Sequence, residues 1–349
     1  MTDALALAEG LLRNPTVPFI EDLPAAHVRA FADERQLEHE TDASGNVVVK
    51  YGTGSPLVLV AHLDHPGFHV VGDRLAFKGG LLAENAVPGA PLHYYRRGER
   101  DPIGDGELLT ATDDKGRLTG ATATNVQGDF AMWGFPGWSI TDGRITARVC
   151  DDLLGCAAIL TVLDDLARTR PSTCVWGLFT RAEEEGFLGA FEAIRLGTVP
   201  KDADVLSLEC SKALPNAPQG GGVIVRVGDR MSIFDPSLTA ALESAAGKVD
   251  GLKSQRRLMD GGACEASAFC AAGFRASGVA VPLGNYHNAR DDAPGIAPET
   301  VMVDDYQSEV QLLTSLAHNP ELLAPQGEPE WYARRSAEAQ RVLGGDGGA

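Results

Sequence analysis

Runs of apolar, β-branched residues that stop abruptly at an acid or an imidazole constrain this chain of 349 residues more than any other feature. PLVLVA leads into His62 and Asp64, ITARVC into Asp151 and Asp152, and CVWGLFTRA into Glu183 and Glu184. DVLSL ends at Glu209, and VAVPLGNY at His287. Each run has the residue content of a strand. Between them lie stretches with apolar residues at helical spacing: LLGCAAILTVLDDLARTR, stopped by Pro171, and GFLGAFEAIRLG, ending near Gly197. Further helices are predicted near residues 236–247, from Ala266 to Ala272, and over VDDYQSEVQLLTSLA. Strands alternating with helices give an α/β domain on a mixed, largely parallel sheet flanked by helices.

One stretch breaks the alternation. From residue 73 to 147, glycine, aspartate and threonine punctuate short runs such as GELLTATDD and KGRLTGATA, and no helical period persists. A small β-rich domain with tight turns is expected there. It interrupts a discontinuous catalytic domain, residues 1–72 and 148–335, which a flexible tail, 336–349, follows. GGDGGA at the end is expected to be disordered. The opening stretch reads as helical, with Glu38-His39-Glu40 as a solvated helix end.

A formal net charge of −18 argues against nucleic-acid and anionic-membrane partners, since both need a positive patch. No apolar run approaches the ~18 residues of a membrane span. The N-terminus lacks the basic, apolar and small-residue segments of a signal peptide. The six cysteines form no CxxC pair and sit mostly in apolar stretches, as buried thiols in a reducing compartment do. A cytoplasmic location is expected.

In open α/β sheets, ligands bind beyond the carboxyl ends of the strands. Acids and imidazoles delivered there by separate strands share one rim. Buried together without a counterion, the carboxylates would lose hydration and repel one another, and divalent cations remove both penalties. Taken singly, each signal has a plainer reading. His62 and Asp64 can be a hydrogen-bonded pair; Asp151-Asp152 can cap a helix; Glu183-Glu184-Glu185 can be a solvated loop. Glu209 at the end of an apolar strand needs a partner. The joint order favours a metal site. Zinc, manganese and cobalt all accept histidine with carboxylate. There is no P-loop, HExxH or GxSxG.

The ordered segments AHLDHPGF (61–68), CDDLLGCAAIL (150–160), EEEGFLGA (183–190), SLEC (207–210), GGACEASAF (261–269) and NYHN (285–288) resemble the co-catalytic metallo-aminopeptidase clan. Within it they resemble the tetrahedral (TET) aminopeptidases, also called deblocking or glutamyl aminopeptidases. The resemblance implies a zinc-exopeptidase-like fold with a β-barrel-like module between the HxD and DD motifs, and two divalent cations per subunit. It implies that His62 ligates one cation, with Asp64 hydrogen-bonded to the far side of its ring. Asp151 bridges both, in a family that often has a cis peptide to the next residue, here Asp152. Glu209 completes the first site, Glu184 and His287 hold the second, and Glu183 is the general base. Paired cations ~3.5–4 Å apart would activate water for hydrolysis of an amide-type C–N bond.

Departures from the family pattern fall on substrate contacts and one ligand. Glu209 stands where Asp is usual, Leu153 where Arg follows the DD pair, His65 where a Glu often follows HxD, and Cys264-Glu265 where Thr-Asp is usual. His65, Cys264, Glu265 and Arg290 are candidates for substrate binding; a structural histidine and a surface ion pair are the plainer readings of His65 and Arg290. Arg256 and Arg257 either line the pocket or sit in a solvated loop. The expected activity is an aminopeptidase acting on short peptides. The alternative is a specialised hydrolase of a small non-peptide amide, acylamino acid or aromatic amine on the same fold. A metal-stabilised scaffold would have no reason to keep the non-ligating Glu183. The resemblance also implies a homo-oligomer, with the β-rich module as the contact.

Overall fold

The computed structural model describes residues 3–324 and 330–343. Its main sheet has eight strands. Their order is Glu38–Thr41, Val47–Tyr51, Val175–Thr180, Leu57–His62, Asp204–Lys212, Arg275–Leu283, Val223–Asp229 and Ser254–Met259. The four central strands, from Val175–Thr180 to Arg275–Leu283, run parallel. Every residue of Leu57–His62 is buried, as a central parallel strand requires when both sheet faces are covered. Period-two alternation sends Leu57, Leu59 and Ala61 to one core and Val58 and Val60 to another. Helices Ala4–Leu12, Leu153–Thr169 and Val303–His318 build the first core, and Leu188–Leu196 and Glu265–Ala271 the second. Leu153–Thr169 is apolar almost all round because it lies between the sheet and other helices. Arg170 in the left-handed conformation ends it, before Pro171.

Six strands between residues 67 and 133 close into a small barrel. Its core contains Phe68, Leu75, Leu92, Tyr94, Leu108 and Trp133. Lys115 and Gly116, both at positive φ, turn one hairpin between the paired residues Asp114 and Arg117. The barrel's first strand, Gly67–Val71, follows the His62–Asp64 segment almost directly. Two strands late in the β-rich stretch lie outside the barrel: Ser139–Thr141 pairs with Arg144–Ala147, which pairs in turn with Glu299–Met302.

Some elements differ from expectation. Glu38–Thr41 is an edge strand and not a helix end, paired antiparallel with Val47–Tyr51. Asp42 Oδ1 accepts the N–H groups of Ser44 and Asn46, and Gly45 at φ +90 completes the reversal. Arg256 and Arg257 lie on the strand Ser254–Met259, where Arg256 pairs with Glu243 and Arg257 donates to the Asn216 carbonyl. Glu330–Leu343, which includes residues 336–343 of the expected tail, is a helix with no buried residue. GGDGGA lies outside the described residues. Among the described residues, no helix is long and apolar enough to cross a membrane.

Candidate metal centre

The parallel strands bring their carboxyl ends to one rim. His62 is the last residue of its strand and stands opposite Thr180, which opens the turn carrying Glu183 and Glu184. Ser207 is opposite Val60, so Glu209, two residues on, reaches the same rim. Asp151 comes from the segment just before Leu153–Thr169, and His287 from a short turn, Tyr286–Asn288, after Arg275–Leu283. His62, Asp64, Asp151, Glu183, Glu209 and His287 are all buried.

Asp151 lies between the two histidines. Its Oδ1 is 3.5 Å from His62 Nε2, and its Oδ2 is 3.5 Å from His287 Nε2. His287 Nε2 is also 3.0 Å from Glu184 Oε1, and His62 Nε2 is 3.9 Å from Glu183 Oε2. Two groups converge within 4.8 Å: His62 with Asp151 and Glu209, and Asp151 with Glu184 and His287. Asp151 belongs to both. Two further groups within the same limit join His62, Glu183 and Glu184, and Asp151, Asp152 and Cys210.

Electrostatics without a cation are strained. Burial would raise the Asp151 carboxyl, but the rings of His287 and His62 hold it below its ordinary value. Burial would lower both histidines, yet Glu183 for His62 and Glu184 for His287, together with Asp151, lift them well above theirs. Burial pushes Glu183 far up against the opposing charge of His62, with Glu184, Glu209 and Glu265 adding to it. Glu209 is pushed up to about 8 by burial, with Arg226 opposing. Asp151 Oδ1 and Glu184 Oε1 are buried and face imidazole nitrogens without an aligned hydrogen bond, the condition a cation relieves. Mixed imidazole and carboxylate donors suit a borderline divalent ion. The residues fit such ions.

Comparison with known proteins decides the family. The model of the M42 glutamyl aminopeptidase family matches residues 99–294. The chain belongs to this family. It is accordingly a metal-dependent hydrolase of the aminopeptidase class. The TET1 peptidase of Pyrococcus horikoshii superposes with TM-score 0.74 at 22% identity, over 90% of this chain and 99% of that one. An aminopeptidase from the archaeon Desulfurococcus kamchatkensis gives 0.75 at 20%, over 94% and 98%. A TET aminopeptidase from a marine sediment archaeon, a member of the Thaumarchaeota, gives 0.76 at 19%, over 92% and 98%. These likenesses show the fold.

Within this M42 chain the remaining expected residues fall as follows. The Asp151–Asp152 peptide is cis. His62 Nδ1 lies 3.1 Å from the backbone carbonyl of Asp64 and 3.7 Å from its carboxylate. That carboxylate instead accepts the N–H groups of Glu183 and Glu184 at 3.0 and 3.1 Å. His65 is buried between the Asp151 carbonyl at 2.6 Å and Asn288 Oδ1 at 3.1 Å. It therefore braces the centre from behind. Cys264 is buried, its N–H donating to Asp229. Glu265 is fully buried and pushed up to about 7 by burial, with His62 and the Thr180 hydroxyl opposing. Arg290 is exposed and pairs with Asp292 at 2.9 Å.

Several supporting residues escape a reading of sequence alone. Glu299 Oε2 accepts the N–H groups of Cys150 and Asp151, while its Oε1 accepts that of His287, so one carboxylate ties the Asp151 and His287 segments together. Glu21 accepts the N–H of Ala182 and pairs with Arg181, holding the turn before Glu183. Arg226 is buried next to Glu209, its Nε without a hydrogen-bond partner. A lone Glu or Arg inside an apolar strand was the only signal for Glu299 and Arg226.

Proposed function

We propose that this chain releases the N-terminal residue of short peptides, using divalent cations held by His62, Asp151 and Glu209 on one side and by Asp151, Glu184 and His287 on the other. The observation that carries this reading is Asp151 offering one oxygen to each histidine, at 3.5 Å both times. When bound, a pair of zinc, manganese or cobalt ions supplies Lewis acidity toward water and the substrate carbonyl. Glu183 is the acid next to the pair that neither group needs. Its Oε2 takes a proton from water as the C–O bond forms, and returns it to the leaving nitrogen as the C–N bond breaks. Asp64 holds the backbone of Glu183 through its N–H, and so orients that carboxylate.

The pocket beside Glu209 favours an acidic first residue. A cavity of about 110 Å³ is lined by Glu209, Lys212, Arg226, Met259, Gly261 and Tyr286. With Glu209 committed to a cation, the Arg226 guanidinium is left to pair with a carboxylate of the substrate. A panel of aminoacyl-anilides and dipeptides tests this. Turnover should be lost on chelation, return with zinc, manganese or cobalt, and be greatest for glutamyl and aspartyl substrates. A cation-loaded protein idle on the whole panel would move the reading to a small non-peptide amide, acylamino acid or aromatic amine. The departure from the family pattern at Cys264-Glu265 favours that alternative.

The Pyrococcus horikoshii TET1 peptidase assembles into a tetrahedron or a large octahedral shell. We propose a homo-oligomer here as well, joined through the barrel, on which Val71, Leu82 and Leu109 are exposed. A light-scattering mass of one chain would end that idea. All six cysteines are free, which accords with a cytoplasmic location.

A further inference from the structure

The barrel reaches the centre through two consecutive glycines. Strand Arg74–Lys78 ends at them. Gly79 adopts φ +96, and a Cβ there would sit 3.0 Å from Pro66, so the position is closed to a side chain. The Gly79 N–H donates to Glu185 Oε1 at 2.8 Å, and Lys78 Nζ lies 3.7 Å from the other oxygen of that carboxylate. The next carbonyl, Gly80, is 2.6 Å from His287 Nδ1. Because a carbonyl only accepts, Nδ1 carries a proton there. Nε2 is thereby turned toward Glu184 and Asp151, at 3.0 and 3.5 Å. Leu81 lies in the barrel core, and Ala289 and Ile296, from the segment after His287, pack against that same core. Ring, carbonyl and barrel wall are thus joined by one hydrogen bond and one shared core.

We propose that the barrel is a working part of the metal centre: Gly80 is a positioning residue for His287, and Glu185 is the latch that holds it in place. The inference rests on reading His287 as a cation ligand. It gives Glu184 and Glu185 separate tasks, the first facing the ion and the second fixing the barrel edge.

Zinc binding to the whole protein, measured by calorimetry with chelator competition, tests it. Wild type should take two equivalents. Glu185→Ala should weaken one of them by about 10–100-fold and leave the other unchanged. Glu185→Gln, which keeps an oxygen for the Gly79 N–H, should restore the weakened equivalent. Wild-type binding in Glu185→Ala, or an equal loss in Glu185→Gln, would overturn the proposal, the second because charge and not position would then matter. His287→Ala separates the two readings. If it keeps both equivalents, the ligand assignment itself fails. If it loses one while Glu185→Ala loses none, only the positioning role fails. Nitrogen-15 NMR of labelled histidine in zinc-loaded wild type needs no variant: a slowly exchanging Nδ1–H on His287 with Nε2 unprotonated is expected. A proton found on Nε2 would overturn the proposal.

Discussion

Glu183 and Glu184 are adjacent in the chain but meet different surroundings. Glu184 Oε1 faces His287 at 3.0 Å, while Glu183 stands 3.9 Å from His62 in a group that neither cation site requires. Glu183→Gln should therefore keep its cations on metal analysis and lose about 100-fold or more in kcat. Near-normal turnover in a loaded variant would remove the proton-transfer role. Arg226→Met should lower kcat/KM for a glutamyl-anilide by about 10–100-fold, the worth of a hydrogen bond to a charged group, and change leucyl turnover little. Equal losses on both substrates would deny it a part in specificity. The strand-end acids and imidazoles were legible in sequence because each interrupts an apolar run. Arg226 and Glu299 were not, since their burial depends on which strands flank them. The preference of Asp64 for backbone N–H groups over the His62 ring was equally hidden, because it follows from how the next turn folds.

Among the elements, the turn from Ala182 to Phe187 carries Glu183, the proposed general base, and is held from outside. Ala182 and Phe187 both adopt positive φ without being glycine, a conformation that neighbours must enforce. Asp64→Ala would strand the N–H groups of Glu183 and Glu184, at about 1–3 kcal/mol each. Urea unfolding should show a lower midpoint, and an unchanged one would mean the turn holds itself. Helix Leu153–Thr169 is the other critical element. Leu160 is fully buried within it, and Leu160→Ala should cost about 2–5 kcal/mol in the same measurement. The helix was readable from its periodicity, and the central strands from their runs of apolar, β-branched residues. The edge strand Glu38–Thr41 was not, because four polar residues carry no pattern until a partner strand lies beside them.

For the whole molecule, buried acids make stability depend on pH. Glu309 is fully buried and pushed up to about 8 by burial, with Glu209 adding to it. The native state then keeps a proton that the unfolded chain gives up near 4.5. Stability from this group is full below that value and falls as pH rises toward about 8. Glu309→Gln should flatten the decline of Tm between about pH 5 and 8 in cation-free protein; a slope as steep as wild type would place the cause elsewhere. A last consequence follows from where the barrel is spliced in. The chain leaves the rim just past Asp64 and returns only at Asp151, so two walls of one chamber are joined by a detour. Closing such a detour costs only about 0.6 kcal/mol for each doubling of its length. The detour can lengthen, shorten or gain ornaments at little thermodynamic expense, provided that Gly80 still lands against the imidazole.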